Sequence, residues 1–395
     1  MTMIELGSEA LQDLQDWRHD FHRHPETAFE EHRTAARVAA LLREWGLEVH
    51  EGLAGTGVVG VLRGALGEGP AIGLRADMDA LHVTELNEVD HASTHVGRMH
   101  ACGHDGHTTM LLGAARHLAA NPDFRGQVVF IFQPAEENEG GARVMMEEGL
   151  FERFPVQAVY ALHNWPGLPV GVAAVHGGPV MAAFDIFKLT LRGKGCHAAM
   201  PHLGKDTLLA ACQLVTQLPA LIAREQEAHK PAVLSVTSFH AGDTFNVMPE
   251  EVKLLGTMRC YDMTQRARIE QRLRDTVAAF ATLHGLEADL DYQVRYPATV
   301  NDPAHADACA AVLSDLLGDA NVRRDLPPSM ASEDFAFMSQ ACPGAYIWMG
   351  NGEQSASLHN PKYDFNDALL PIGVRYWVKL VTSLLKDGRL PPAKA

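Results

Sequence analysis

The chain has 395 residues, of which 47% are hydrophobic, and a formal net charge of −16 at pH 7. This length and apolar content exclude a disordered protein and are sufficient for two domains with sizeable cores. The acidic charge and the lack of any lysine or arginine run argue against a nucleic-acid partner.

The cysteines and the N-terminal segment bear on the cellular compartment. Six cysteines are scattered along the chain without a CxxC pair, which is typical of a reducing compartment. The segment from Met1 to Trp17 is acidic and amphipathic, and it lacks the basic start and apolar core of a signal peptide. No stretch approaches the ~18 apolar residues of a membrane span. We therefore expect a cytoplasmic protein with no membrane partner.

In the first half of the chain, apolar runs of strand type alternate with helical patterns. Strands are predicted from about Gly57 to Leu62, Ala71 to Ala76, Gln127 to Gln133 and Gln157 to His163, and helices from Thr34 to Trp45, Gly106 to Ala120 and Gly140 to Gly149. Strands and helices that alternate in this way indicate an α/β fold with a mixed, mainly parallel sheet. Ligands of such sheets bind at the carboxyl ends of the strands.

From about residue 183 the predicted order of elements changes to βαββαβ. The elements are a strand Asp185 to Arg192, a helix Thr207 to Glu225, strands near Val233 to His240 and Glu251 to Cys260, a helix Thr264 to His284 and a strand Ala288 to Arg295. This order is typical of a ferredoxin-like split sheet with two helices on one face. We therefore predict a domain at 183–297 inserted between two parts of a first domain, 1–182 and 298–395. The last helix, Ala368 to Leu385, is expected to pack back on the main sheet.

The first motif with metal-binding chemistry is MHACGHDGHTTM, from Met99 to Met110. It places Cys102, His104, Asp105 and His107 in a glycine-broken turn just before a predicted helix. A thiolate and an imidazole two residues apart can bind one ion from such a loop, because glycine lets the backbone fold around it. Alone, a Cys-Gly-His segment is as often structural as metal-binding.

A second motif, QPAEEN, follows the apolar strand VVFIF and places Glu136 and Glu137 at a strand end. Adjacent carboxylates on a turn point in different directions, so that one can bind a metal while the other transfers a proton. Alone, such a pair is usually a solvated surface.

Two histidines occupy comparable positions. His163 ends the strand AVYALHNW, where a histidine is more often a hydrogen-bonded core residue than a ligand, and His359 lies in the turn-rich loop SLHNPKYD. All four clusters fall at strand ends or in loops that the predicted topology brings to one edge of the sheet. Their coincidence predicts a metal centre.

Eight motifs carry a resemblance to a known family. They are RADMDAL (Arg75 to Leu81), MHACGHDGH, QPAEE, ALHNWPG, GKGCHAAMPH, FNVMPE, SEDFAF and LHNPKYDF. In order and spacing they resemble the amidohydrolase branch of the aminoacylase and carboxypeptidase family of dinuclear metallopeptidases, which includes hippurate hydrolases and hydrolases of auxin–amino acid conjugates. The resemblance implies an α/β catalytic domain with an inserted lid or dimerisation domain, and a homodimer, possibly a tetramer.

The same resemblance implies roles for individual residues. It implies two divalent metal ions per subunit, zinc, manganese, cobalt or nickel, held by Cys102, His104, Glu137, His163 and His359. Glu136 is then the general base that takes a proton from the metal-activated water and returns it to the leaving amine. Asp77 is implied to orient a metal-binding residue; a simple helix-start or turn aspartate is the alternative.

The inserted domain is implied to contact the substrate. His197 resembles the histidine that stabilises the oxyanion, often from the partner subunit of a dimer, and a solvated loop histidine or the neighbouring His202 are the alternatives. Asn246 and Arg259 resemble residues that hold the amide and the free carboxylate of the substrate. For Arg259, pairing with an internal acid is an equal alternative.

These observations predict an N-acyl-amino acid amidohydrolase that acts on substrates of the hippurate or N-acetyl-amino acid type. Carboxypeptidase and dipeptidase branches of the family have carboxylates where this chain has Cys102 and His163, which favours this prediction. Glu333 and Gly350 are expected near the site by analogy. His82 stands where relatives have proline, so the substrate preference stays open. A metallo-dipeptidase or carboxypeptidase, and a non-catalytic metal-binding relative, are the alternatives.

Overall fold

The structure, a computed structural model, describes residues 5–392, so residues 1–4 of the predicted acidic N-terminal segment and residues 393–395 lie outside it. The chain divides into two compact units. The larger comprises the residues up to Val180, Val300–Pro327, and the residues from Asp334 onwards. The smaller comprises Met181–Thr299 and Pro328–Glu333.

The helices and strands of both units are numbered in chain order. The helices are α1 (Ser8–Arg23), α2 (His32–Glu44), α3 (His104–Ala120), α4 (Gly141–Glu147), α5 (Leu150–Arg153), α6 (Thr207–Ala223), α7 (Met263–His284), α8 (Pro303–Leu317), α9 (Ala336–Ala341) and α10 (Leu370–Leu385). The strands are β1 (Glu48–Leu53), β2 (Gly57–Arg63), β3 (Ala71–Asp77), β4 (Gln127–Gln133), β5 (Ala158–Pro166), β6 (Ala173–Ala174), β7 (Gly178–Met181), β8 (Ala183–Arg192), β9 (Cys196–His197), β10 (Ala232–Ala241), β11 (Val247–Met248), β12 (Glu251–Cys260), β13 (Glu287–Tyr296), β14 (Thr299–Asn301), β15 (Val322–Arg323) and β16 (Gly344–Gly352).

The larger unit is built on an eight-stranded sheet in the order β1-β2-β4-β3-β5-β16-β6-β15. Strands β4, β3, β5 and β16 are parallel neighbours, which confirms the predicted mixed, mainly parallel α/β sheet. Strand β2 contributes to the mixed character of the sheet, because it is antiparallel to both β1 and β4. Its short connection to β1, Ala54 to Thr56, is a hairpin rather than a helical crossover.

The core of the larger unit lies between the sheet and helices α1, α2, α3, α8 and α10. Helix α3 is its centre and is buried along almost its whole length. Gly113 permits the close approach of its neighbours, since a Cβ there would lie 2.6 Å from both Leu14 of α1 and Val374 of α10. This packing fixes the first residue of α3, His104, against the end of β3.

Asp367–Leu385 is long and apolar enough to cross a membrane, with a mean hydropathy of 1.3. No such stretch was predicted from the sequence, because Arg375 and Lys379 interrupt the run of apolar residues. The mean hydropathy of the run is nevertheless high enough for a membrane-spanning helix. Buried residues make up 61% of the window, and Val374, Trp377 and Val381 belong to the core of the larger unit. Core packing therefore accounts for the apolar character of this helix.

The smaller unit has an antiparallel four-stranded sheet in the order β10-β12-β8-β13, and its elements follow one another as β8-α6-β10-β12-α7-β13. Apolar residues of α6 and α7, among them Leu214 and Val277, pack with Leu189 of β8 in its core. Both helices begin at an aspartate that accepts a backbone hydrogen bond, Asp206 for α6 and Asp262 for α7. A separate two-stranded ribbon pairs β9 with β11.

Candidate metal centre

Three parallel neighbours in the large sheet deliver polar residues to the same edge. Strand β3 ends at Asp77, β4 leads into the turn with Glu136 and Glu137, and β5 carries His163 near its end. Because the carboxyl ends of parallel strands meet at one edge, side chains from distant parts of the chain come together there.

Cys102, His104 and His163 form the first group of potential ligands. Their donor atoms all lie within 4.8 Å of one another, and Sγ of Cys102 is 3.4 Å from Nε2 of His163. Gly103 has a φ of +92°, and a Cβ there would lie 2.2 Å from Oδ1 of Asn164, so only glycine fits this position. The turn is shorter than predicted. Helix α3 begins at His104 and therefore contains Asp105 and His107, which were predicted to lie in the turn.

The imidazole of His104 is oriented by the backbone. Its Nδ1 lies 2.8 Å from the carbonyl oxygen of Asp79 and donates to it, whereas its buried Nε2 has no hydrogen-bond partner among the described residues. Burial alone would lower the pKa of His104, but Asp77, Asp79 and Glu137 raise it to about 10. A dication at Nε2 would take the place of the proton, because metal ligands bind in their deprotonated form.

His163 has the opposite electrostatic environment. Its Nδ1 donates to the carbonyl oxygen of Asn164 at 2.6 Å, which leaves Nε2 directed toward Cys102. Burial, reinforced by the neighbouring His107, lowers its pKa well below the usual value. His163 is therefore neutral, which is the form that binds a metal ion.

The turn that carries the two glutamates is fixed from two sides. The carboxylate of Asp79 accepts hydrogen bonds from the backbone N–H groups of Glu136 at 3.0 Å and Glu137 at 2.9 Å. Glu31 accepts one from Ala135, whose φ of +55° marks the sharpest point of the turn. These buried acceptors set where the two glutamate side chains point.

His359 reaches the same place from the C-terminal part of the larger unit. Its Nε2 lies 3.0 Å from Oε1 of Glu137, and its backbone N–H donates to the carbonyl oxygen of Ala101 at 2.8 Å. Glu137 raises the pKa of His359 through this contact. The donor atoms of Cys102, Glu137 and His359 lie within 4.8 Å of one another, as do those of His104, Glu136 and Glu137.

All five predicted ligands thus converge in overlapping groups that share Cys102, His104 and Glu137. Burial, together with Glu137 and Glu136, raises the pKa of the Cys102 thiol well above its usual value. Several carboxylates in one buried space need compensating positive charge, and Nε2 of His104, which has no hydrogen-bond partner in the described part of the chain, can exchange its proton for a metal ion. These residues fit a pair of divalent ions that accept nitrogen, sulfur and oxygen donors.

Asp77 and His107 are engaged with other partners. Oδ1 of Asp77 lies 2.7 Å from Nδ1 of His107, and Oδ2 pairs with Arg75 at 2.7 Å. The other ring nitrogen of His107 contacts Oδ1 of Asn164 at 2.7 Å, so neither nitrogen is free. Oδ2 of Asp77 lies 3.8 Å from Nε2 of His104. Burial would raise the pKa of Asp77, but His104, Arg75 and His107 lower it well below its usual value.

His197 and Asn246 are neighbours within the smaller unit. His197, in β9, pairs with Val247 of β11, and the N–H of Ala198 donates to the carbonyl oxygen of Asn246 at 2.9 Å. Nδ1 of His197 accepts a hydrogen bond from the N–H of Ala199 at 3.1 Å, which leaves Nε2 to act as the donor. Both side chains are exposed, as is that of His202.

Arg259 has no acidic partner within the smaller unit, all of whose residues are described. Its guanidinium lies 3.9 Å from the ring centre of Phe184 and donates to the carbonyl oxygen of Met258 and to Thr257. Burial lowers its pKa to about 10. The predicted alternative for Arg259, an ion pair with an internal acid, is therefore not formed within this unit, where Asp185 pairs with Arg266 instead.

Gly350 and Glu333 occupy close-packed positions. A Cβ at Gly350 would lie 1.9 Å from the carbonyl oxygen of Pro169, and its N–H donates to Val172 at 2.8 Å. Glu333 is buried at the end of the smaller unit.

No role was predicted from the sequence for Asp79, Asn164 or Tyr363. Asn164 contacts His107 and donates to the hydroxyl of Tyr363 at 2.6 Å, which ties β5 to the loop of His359. The available signal was position, since Asp79 follows β3 and Asn164 follows His163 directly.

The sequence profile of the peptidase family M20/M25/M40 matches residues 73–383, a span that includes every predicted ligand. The chain belongs to this family. Among its M20 relatives, hippurate hydrolase of Campylobacter jejuni is 38% identical over 98% of this chain and 100% of that protein. Thermostable carboxypeptidase 2 of Saccharolobus solfataricus is 34% identical over 94% of this chain and 96% of its own length.

A solved structure of the M20 family supports the same assignment. The Bacillus subtilis protein, called a dinuclear metal binding peptidase, has a TM-score of 0.84 and 31% identity, and the match covers 96% of this chain and 99% of that one. These findings confirm the predicted family and fold class and identify the protein as a hydrolase.

Proposed function

We propose that this hydrolase cleaves the amide bond of N-acyl amino acids and releases a carboxylic acid and a free amino acid. The observation that carries the proposal is the convergence of five metal-compatible side chains beside a second, adjacent carboxylate, Glu136. Without Glu136, the five ligands would account for metal binding but not for hydrolysis. The additional carboxylate provides the general base that hydrolysis needs.

In this proposal, Cys102, His104, Glu137, His163 and His359 hold two divalent ions. Zinc, manganese, cobalt or nickel suits a set of three imidazoles, a thiolate and a carboxylate. When bound, such ions polarise a substrate carbonyl and make a water molecule more acidic. Asp79 fixes the imidazole of His104 and the turn of Glu136 and Glu137, and so preorganises the set.

Glu136 is the proton-transfer group. Its side chain is only 7% exposed, and its carboxylate lies within 4.8 Å of the donor atoms of His104 and Glu137. From this position it takes a proton from the attacking water and returns it to the nitrogen of the leaving amino acid. The protonated amine is then a good leaving group.

Further residues contact the substrate, and most of them belong to the smaller unit. Arg259 binds the free carboxylate, for which its guanidinium is suited and unpaired within its own unit. His197 donates from Nε2 to the oxyanion, either in its own subunit or in the partner of a homodimer, possibly within a tetramer. Asn246 holds the amide, and the carbonyl of Gly350 contacts the substrate. We further propose that Asp77 supports the ligands through the buried pairs it forms, and that the protein is cytoplasmic.

The second candidate is a carboxypeptidase or dipeptidase, which the similarity to thermostable carboxypeptidase 2 favours. The relative with the acyl-amino acid name, hippurate hydrolase, matches over its full length at a higher identity. Cys102 and His163, which replace carboxylates of the peptidase branches, also favour an acyl substrate over an aminoacyl one.

A substrate panel tests the proposal directly. The metal-stripped protein is reloaded in turn with zinc, manganese, cobalt and nickel, and it is assayed with benzoyl-glycine, N-acetyl amino acids and unblocked dipeptides. We expect hydrolysis of the acylated substrates at rates well above those of the dipeptides. Faster hydrolysis of unblocked dipeptides would assign the protein to the second candidate, and no hydrolysis with any ion would refute both.

A further inference from the structure

A second cluster of charges, with a buried centre and a partly exposed edge, joins α1 of the larger unit to the start of α3 and to the loop that contains His359. Its centre is the Arg18 guanidinium, which is 1% exposed. Nη1 of Arg18 lies 2.8 Å from Asp364, and Nε lies 2.7 Å from Asp367. Nη1 is also 3.7 Å from Asp105, which in turn pairs with Nδ1 of His22 at 2.8 Å.

The acidic partners of Arg18 belong to two chain segments that carry predicted ligands. Asp105 follows His104 in the first turn of α3. Asp364 and Asp367 close the loop that contains His359. The Arg18 guanidinium of α1 therefore contacts the two segments that carry His104 and His359, which are far apart in sequence.

The loop of His359 is irregular and is positioned by several separate contacts, among them the burial of Tyr363 and Phe365 in the core and the charged contacts of Arg18. It has no helix or strand between the end of β16 and residue 367, and His359 itself has a φ of +63°. The His359 side chain is 52% exposed, so packing does not hold it. A planar guanidinium that binds two carboxylates in fixed directions is well suited to hold an irregular segment in place.

We propose that Arg18 is a positioning residue that fixes the separation between His104 and His359. The proposal rests on the metal-ligand roles of these two histidines in the proposed function. Arg18 touches neither ion nor substrate, and it acts by holding the two segments through Asp105, Asp364 and Asp367.

The test measures zinc binding rather than turnover. Arg18→Lys keeps the positive charge but loses the planar group that binds two carboxylates, and Asp367→Asn removes the negative charge from one of the two contacts. Arg116→Met is the matched control, because Arg116 pairs with Asp13 at 2.6 Å and so joins the same two helices, α1 and α3, without contacting the His359 loop. Each metal-free protein is titrated with zinc in competition with a chromophoric chelator, and its circular dichroism and melting are recorded.

We expect the wild-type protein to bind two zinc ions, and Arg18→Lys and Asp367→Asn to bind the weaker one about 10–100-fold less tightly, the usual effect of removing a partner that orients ligands. The control is expected to keep wild-type affinity. Wild-type zinc affinity in a folded Arg18→Lys or Asp367→Asn variant, or an equal loss of zinc affinity in Arg116→Met, would overturn the positioning role of Arg18. Neither result would affect the proposed function.

The remaining outcomes are also decisive. If Arg18→Lys does not fold, the partly exposed Asp367 decides the question through Asp367→Asn. Failure of that variant to fold would count against the proposal, because the cluster would then serve the stability of the whole unit. A wild-type protein that binds no zinc would refute the proposed metal centre and the positioning role together.

Discussion

Oδ1 of Asp79 accepts a hydrogen bond from the backbone N–H of Glu136 at 3.0 Å. Oδ2 accepts one from Glu137 at 2.9 Å, and the carbonyl oxygen of the same aspartate accepts one from His104. Asp79 is 1% exposed, so these bonds are shielded from water. A single residue therefore orients one proposed base and two proposed ligands.

Replacement of Asp79 by asparagine is expected to disturb the turn of Glu136 and Glu137, whereas the backbone carbonyl that binds His104 is retained. The amide has one acceptor oxygen, so one of the two buried backbone N–H groups loses its partner, which costs about 1–3 kcal/mol in the free energy of unfolding. Zinc affinity is expected to fall about 10–100-fold. Urea unfolding and zinc titration measure both. Asp206→Asn, which alters a similar carboxylate at the exposed start of α6, is the control and is expected to leave zinc affinity unchanged.

The Glu136→Gln variant separates metal binding from catalysis. Glutamine has the same shape but does not accept the proton, so we expect full zinc content and a loss of kcat of about 10²–10⁴-fold. Zinc is measured by atomic absorption and kcat with benzoyl-glycine. Glu139→Gln, an exposed glutamate in the same turn, is expected to behave as wild type. Wild-type turnover in Glu136→Gln would refute its role as the base.

Stability is expected to depend on pH through His22. Burial alone would lower the pKa of His22, but Asp105 and Glu85 raise it to about 9. The folded protein keeps a proton that the unfolded chain releases above its own pKa of about 6.5. The stabilisation is therefore complete below pH 6.5 and is lost as the pH rises through 9.

The shift corresponds to about 3 kcal/mol at 1.36 kcal/mol per pKa unit. Between pH 6.5 and 9.5, we expect the free energy of unfolding of the metal-free wild type to fall by about this much more than that of His22→Gln. Urea unfolding at the two pH values measures the difference. His229→Gln, at an exposed site, is expected to retain the wild-type pH dependence. Parallel pH profiles for wild type and His22→Gln would contradict the prediction.

Metal ions are expected to raise the melting temperature. An ion that binds only the folded state adds about 2.7 kcal/mol at 100 times its Kd. Zinc, cobalt or nickel is expected to stabilise the stripped protein, whereas calcium, which prefers oxygen ligands, is not. Cys102→Ser is expected to reduce the rise in melting temperature that zinc causes. Cys212→Ser, an exposed cysteine, is the control, and an equal zinc shift in both variants would exclude Cys102 as a ligand.

Arg259→Met tests the carboxylate-binding role. Loss of a charged hydrogen bond worth about 1.5–3 kcal/mol is expected to raise KM for an N-acyl amino acid about 10–100-fold. The same acyl amino acid with its carboxylate converted to an amide is expected to show no such change. Arg192→Met, on the same sheet but paired with Glu251, is the control. An equal rise in KM for both substrates would show a structural role instead.

Local patterns predicted most of the fold. The bounds of β4 and β12 agree with the predicted strands, because both are apolar or alternating runs with clear ends. Strand β16 was not predicted, although its sequence is apolar. Its partner β5 lies far earlier in the chain, and a pairing between such distant segments leaves no local signal.

Within the candidate site, residue type and position at strand ends predicted which side chains would meet. His107 shows what the sequence does not reveal. It lies in the same motif as Cys102 and His104, but Asp77 and Asn164 occupy its two ring nitrogens. Only the folded structure, which brings Asp77 of β3 and Asn164 of β5 to His107, distinguishes His107 from His104.

The groups that meet at this edge come from segments as distant as Cys102 and His359. An unfolded chain holds at most the short Cys102–His104 pair close together, and a complete set of ligands exists only after folding. During synthesis, the ribosome produces His359 after the whole inserted unit. A growing polypeptide therefore cannot hold the full complement of ions until residue 359 has been synthesised, so the last step of metal loading comes after translation of the inserted unit.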